Sequence, residues 1–406
     1  IDVPWGEPND WAALETVMPY EFFEANTLKN LAQRYSAHSR GIDDGVRGCL
    51  VWLIARDEQD IDRFREHAAK VIDDAFPGDN PFPMVLVIPD QPNPDFLALL
   101  KRRQALKDLP KSVISEIGQD VFKDEEIHLQ LQILEARERF VGNSGNYLDV
   151  PRQESVFVIP AAYRASVRAK NLRSVRMVLK EVYHLAYQYA PPEFFTQYRV
   201  VSQGSNKLKD AVKTVGDLLL HNGVGPFMTV GRPKQPVPDL IEKFLQNRWQ
   251  HLGGDFRIQS EPGNSRIRKA WNVIDHAFKA DGSENPVKNV LTLLLNVPYG
   301  YDYNTLTLLF CAWFGYNAHN LRLFSQGKLI NNDTLAEWLA KNPKELITQL
   351  CCADVTIVRQ DEGEVLREVR SIIDRVRSQS FSQFDAKEAL IKLEKFINEP
   401  YGQEDL

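Results

Sequence analysis

Blocks of apolar residues recur along this chain with two different periods. The run 46–55, VRGCLVWLIA, is apolar over the length of a strand. In the segment 57–75 that follows, Ile61, Phe64, Ala68 and Ile72 fall at helical spacing. A second strand-length run, MVLVI at 84–88, is closed by Pro89 and followed by a helical pattern at 95–109. Strand, helix, strand, helix predicts a small α/β unit containing a parallel pair. Residues 1–40 read as mostly helical, with Trp5, Trp11, Tyr20, Phe22 and Phe23 as core or docking residues. Residues 112–141 read as one long, charged helix ended by GNSGN at 142–146.

The most apolar region is 285–330. It predicts two helices joined by Val297-Pro298-Tyr299-Gly300-Tyr301, then a short hairpin. Asn285 and Pro286 suit the start of the first helix; Asp302 can cap the second and Gly315 can end it. The strands 321–324 and 328–330 flank Ser325-Gln326-Gly327, which is turn chemistry. With the amphipathic segment 265–280 in front, the order is helix, helix, helix, hairpin, that of a winged helix. A helix that reads base edges needs Arg, Asn, Gln or Lys on an exposed face. The second helix carries TLTLLFCAWF at 305–314, apolar nearly all round, and a helix of that kind is buried. The module is therefore expected to pack or dock rather than read bases.

Further helices are predicted at 206–220, 239–251, 333–340 and 343–350, a strand at 354–358, and an irregular linker at 223–238. Two amphipathic helices, 362–378 and 385–399, predict a C-terminal antiparallel hairpin. The expected fold class is α+β, predominantly α. Four segments are expected: 1–110, a helical lead-in with the α/β unit; 111–222, the charged helix and a basic helical segment; 239–358, a helical body holding the winged-helix-like module at 265–330; and 359–406, the hairpin.

A chain of 406 residues can bury two or three cores. Its net charge of −6 excludes a uniformly basic nucleic-acid coat but not a local patch. Cys49, Cys311, Cys351 and Cys352 form no CxxC pair and have no His at ligand spacing, which fits a reduced, cytoplasmic compartment. No apolar run is long enough to cross a bilayer, so no membrane is expected as a partner. The chain begins with Ile rather than Met, and so reads as a fragment of something longer.

Charge is most uneven between 164 and 213, where ten Lys and Arg face three Asp and Glu, a local balance of +7. Arg173, Arg176 and Lys180 are expected on one face of a helix whose other face is Val175, Val178, Leu179 and Val182, with Tyr183, Tyr187 and Tyr189 ending it. A basic face near aromatics suits phosphate contact with DNA or RNA. It equally suits a solvated face, or one paired with acids of another domain. The candidate nucleic-acid-binding residues are Arg164, Arg168, Arg173, Arg176, Lys180, Lys207 and Lys209.

Catalytic motifs are missing. Asp57-Glu58 imitates the end of a Walker B strand, but no GxxxxGK[ST] loop exists, and first-turn acids facing a helix dipole are the simpler reading. His128 among the acids of 112–141 suggests surface ion pairs more than a metal site. No catalytic, cofactor-binding or metal-ligating residue is assigned, and the chain is expected not to be an enzyme.

Three stretches carry a resemblance. They are 83–109, PMVLVIPDQPNPDFLALLKRRQALKDL, with the charged helix after it; the helix 164–189 before Pro191-Pro192-Glu193-Phe194-Phe195; and 295–308, where Pro298-Tyr299-Gly300 opens an apolar helix. In that order they resemble the region beyond the nucleotide-binding core of the large BrxC/PglY-type P-loop ATPases of bacterial phage-defence (BREX/Pgl) systems, over residues 80–350. The resemblance implies a non-catalytic segment of a cytoplasmic defence ATPase, with other defence-system proteins and double-stranded DNA as partners and an oligomer as a compatible state. The missing P-loop confines ATP and magnesium to a longer parent. A purely structural protein-interaction module is the alternative, and a nuclease with dispersed acids is a third reading.

Overall fold

The computed structural model describes residues 13–35, 48–141, 147–153, 156–192, 206–230, 234–278, 283–352 and 354–359. By its internal contacts the chain divides into two compact units, one made of Ile1–Arg40 with Asp44–Tyr187 and the other of Gly41–Asp43 with Gln188–Leu406. The expected segment 111–222 is thus shared between them. The fold is predominantly helical α+β, as the patterning predicts.

The first unit is built on four strands in spatial order β1 (Ala13–Pro19), β2 (Gly48–Ile54), β3 (Met84–Val87) and β4 (Phe157–Val158). The first three are parallel and β4 is antiparallel. All seven residues of β2 are buried, the continuous apolar run expected of a strand covered on both faces. Helices α1 (Ala25–Tyr35) and α2 (Glu58–Ala75) cover one face, where Leu28, Leu31, Ile61 and Phe64 join Val51, Leu53 and Leu86 in one core. Asp57 caps α2 by accepting from the Asp60 amide at 2.9 Å, which gives this Walker-like acid a structural task. After β3 come α3 (Pro94–Lys107), α4 (Lys111–Ile117) and α5 (Gln119–Val141). Phe140 of α5 meets Trp52 of β2 edge-on.

Two expectations change here. Residues 13–19 are a strand, not a helix, and pair in parallel with β2; Glu15, which interrupts the apolar run, is buried there. The long charged helix is broken at Gly118, whose φ of 94° lies in the left-handed region, into α4 and α5. The unit closes with α6 (Ala161–Ala169) and α7 (Val175–Ala186).

The second unit opens with α8 (Asn206–Leu220) and α9 (Val224–Val230); the latter replaces the first part of the expected linker. A short α10 (Val237–Asp239) runs on into wide π turns, Leu240–Arg248. Then come α11 (Ser265–Ala277), β5 (Asn285–Pro286), α12 (Val287–Leu295), α13 (Tyr303–Asn317), β6 (Leu321–Ser325), β7 (Lys328–Ile330), α14 (Asn332–Lys341), α15 (Pro343–Leu350) and β8 (Val355–Arg359). The predicted helix, helix, helix, hairpin order is present. Gln326 and Gly327 both have positive φ, which makes the hairpin turn of the primed kind that suits strand twist.

Asp302 caps α13 in a reciprocal box with Thr305, its side chain accepting from the Thr305 amide at 2.7 Å. Asn285 does not cap α12: it lies in β5, paired with Ile357, and Pro286 holds the cap position. Gly315 does not end α13, which runs on to Asn317. A methyl group there would sit 2.0 Å from the Leu219 carbonyl oxygen, so the glycine lets α8 and α13 touch. The expected C-terminal hairpin, 359–406, falls outside the described residues beyond Arg359. No helix among the described residues is long and apolar enough to cross a membrane.

Candidate functional site

The basic segment begins with α6, held down by Tyr163 and Val167 on its buried side. Tyr163 donates to the Pro81 carbonyl at 2.6 Å. Arg164 is committed inward: it donates to the Ile159 carbonyl at 2.9 Å and to Asp73 at 2.8 Å, stapling α6 to the end of α2. Asn171, with φ of 48°, turns the chain, and Ser174 caps α7 by accepting from the Met177 amide. The segment 164–189 is therefore two helices rather than one, and Arg173 stands in the connection rather than on the helix.

Local acids answer much of the positive charge. Arg176 donates to Asp149 at 2.8 Å. Lys170 and Ser166 both donate to Glu181, a buried carboxylate. Burial works to raise the Glu181 pKa, but those two donors outweigh it and hold the group below its usual range. In the second unit Lys213 pairs with Asp210, Lys209 is half-buried on α8, and the Lys207 side chain lies outside the described residues.

Arg168, Arg173 and Lys180 remain exposed. Met177, Lys180 and His184 are spaced three and four residues apart, which brings them to one solvent-facing stripe of α7, and Arg173 is exposed just before the helix begins. Tyr183 and Tyr187 face inward and are buried, so they offer no platform for a base. The exposed apolar member of the stripe is Met177, 51% exposed. Phosphate contact is chemically available here; base stacking on these tyrosines is not.

Sequence patterning passed over two buried polar sites. Glu15, in mid-strand, accepts from Trp52 at 2.6 Å, from Tyr147 at 2.6 Å and from Arg137 at 3.2 Å, while Arg152 lies over the Trp52 ring. Burial, followed by the neighbouring Glu15 charge, pushes the Tyr147 phenol well above its usual range. The carboxylate is saturated with donors and sealed, which suits a structural anchor rather than a proton-transfer group. In the second unit His251 is fully buried, edge-on to Trp271 with ring centroids 4.7 Å apart. Neither of its ring nitrogens meets a hydrogen-bond partner, and burial pulls its pKa down to about 3. Its one legible sign is a His beside Leu252 at the end of the amphipathic 240–252 pattern.

Among the described residues no three His, Cys, Asp or Glu side chains converge as metal ligands; His128 contacts Gln132 instead. Helix α13 is buried on every side except at Tyr316 and presents no base-reading face. No family model, no curated protein and no solved structure matches the chain.

Proposed function

We propose that this chain is the non-catalytic, partner-docking and DNA-contacting segment of a cytoplasmic phage-defence ATPase of the BrxC/PglY type, whose ATP and magnesium site lies elsewhere in a longer polypeptide. The observation that carries the reading is the exposed α7 stripe. Lys180 and His184 share a face, with exposed Arg173 in the connection before α7 and exposed Arg168 on the preceding helix. Such a face supports backbone contact without sequence readout, because phosphates ask only for charge and hydrogen-bond donors. The burial of α13 argues in the same direction, since the helix in the reading position has no polar face to offer.

The test is fluorescence anisotropy of generic double-stranded DNA against salt. Each phosphate engaged contributes about −0.9 to the slope of log affinity on log salt, so three contacts give about −2.7. Changing Arg168, Arg173 and Lys180 together to Glu is expected to abolish that binding. Equal binding by the variant, or no binding by the parent chain at low salt, overturns the DNA half of the proposal. Arg164 and Arg176 are left intact in the variant because Asp73 and Asp149 hold them.

A second reading, protein interaction without DNA, is favoured by a different observation: an uncovered apolar face on α5.

A further inference from the structure

Helix α5 is apolar on two faces. One carries Leu129, Ile133 and Ala136 and is buried within the first unit. The other carries Ile127, Leu131 and Leu134, which are 60, 55 and 41% exposed. Their spacing of four and three residues lines them up along the helix, the pattern that packs against another helix. A stripe of this kind left in water marks an interaction surface more than a stability device.

The rim of the stripe identifies the occupant. Asp120, Asp124, Glu135 and Glu138 flank it, against the cations Lys123 and Arg139, a local balance of −2. Glu135 and Arg139 also border a groove of about 440 Å³ between α3 and α5, lined further by Asp95, Ala98, Leu99 and Arg102. An acidic rim repels nucleic acid and anionic lipid surfaces, and it penalises a second copy that would bring the same carboxylates face to face.

We infer that this face of α5 docks a basic amphipathic helix of a partner protein, seating apolar side chains on Ile127, Leu131 and Leu134 while flanking Lys or Arg meets the rim. The inference rests on the docking half of the proposed function and names the partner's chemistry.

The probe is a synthetic Leu/Lys peptide of about 18 residues, or five helical turns, with Leu at i, i+3, i+4 and i+7. It is titrated onto the full chain beside a scrambled peptide of the same composition and a Leu/Glu counterpart. Binding of the Leu/Lys peptide alone is expected. Ile127→Glu with Leu131→Glu should weaken it at least about tenfold, and Asp124→Lys with Glu138→Lys should transfer preference to the Leu/Glu peptide. All four positions are exposed, so circular dichroism should be unchanged in both variants. Equal binding of the scrambled peptide, indifference to the Ile127 and Leu131 changes, or no binding at all overturns the inference. So does sedimentation that shows a dimer dissolved by Leu131→Glu, since a second copy would then be the occupant. DNA affinity should be the same in Leu131→Ala, which adds no charge, as in the parent, while Leu/Lys peptide binding weakens, which keeps failure here distinct from failure of the α7 reading.

Discussion

Helices α5 and α13 are the two most instructive in the molecule because each carries more apolar surface than one packed face uses, and each resolves the excess differently. Around α13 the second unit closes completely. Leu306, Leu308, Leu309, Phe310, Cys311, Ala312 and Trp313 are all at most 1% exposed, and α8, α11, α12 and α15 supply the walls. Around α5 the first unit closes on one side only. An apolar residue count says that a helix needs cover; it does not say whether the cover belongs to the same chain. The polar positions between the apolar ones decide that. The α13 run offers only Thr and Cys, whose small polar groups can be satisfied locally, whereas the second apolar face of α5 is rimmed with carboxylates that require water or a cation.

The contrast is broken most severely at Phe310. Phe310→Ala leaves a cavity in a close-packed core and should cost about 3–5 kcal/mol of unfolding free energy, read from urea titration. Gly315→Ala should cost about 3 kcal/mol, the upper end for overpacking, because the obstructing Leu219 oxygen is backbone and cannot swing aside. Asn222, which donates to the Gly315 carbonyl at 2.9 Å, would be displaced with it.

His251 sharpens the contrast through pH. Its ring is buried neutral, with a folded pKa near 3 against about 6.5 in an unfolded chain. The unfolded state therefore takes up the proton first. The stability that this group contributes is complete above pH 6.5 and is lost as pH falls toward 3, by up to about 1.4 kcal/mol per unit. Between pH 7 and pH 5 the parent should lose about 2 kcal/mol more than His251→Leu does. Equal losses in the two proteins would show that the ring is hydrated or paired. The smallest effect belongs to α5: Leu131→Ala should shift stability by less than about 0.5 kcal/mol, since the side chain is already in water. A loss as large as that at Phe310 would mean that the chain itself covers this face.

What could be read from the sequence was local. The α13 cap at Asp302, the Gln326-Gly327 turn, the β2 and β3 runs and the α15 boundaries each depend on residues within a turn or two of one another. The errors come from partners far away. The strand at 13–19 pairs with β2, some 35 residues on in the chain, and its buried Glu15 meets Arg137, which is 122 residues distant. The basic patch looked stronger than it is because Arg164 finds Asp73 across 91 residues and Arg176 finds Asp149 across 27. Charge counting along the chain cannot register those pairings. It did single out Arg168, Arg173 and Lys180, which the fold leaves exposed, and it overlooked the acidic, apolar face of α5 because that helix was read as merely solvated.

Strand β8 has a consequence for synthesis. It lies between β5 and β6 in the order β5, β8, β6, β7, and Arg359 at its end reaches Asp275 at 2.7 Å and Asn317 at 2.9 Å. The hairpin of β6 and β7 is complete by Ile330, yet the strand that joins it to β5 ends only at Arg359. A ribosome adding about 5–20 residues per second leaves β5 and one edge of β6 unpaired for on the order of seconds after the hairpin has emerged. During that interval the nascent chain carries open strand edges beside the most apolar helix it contains, and β8 is the segment whose arrival ends its exposure to the wrong neighbour.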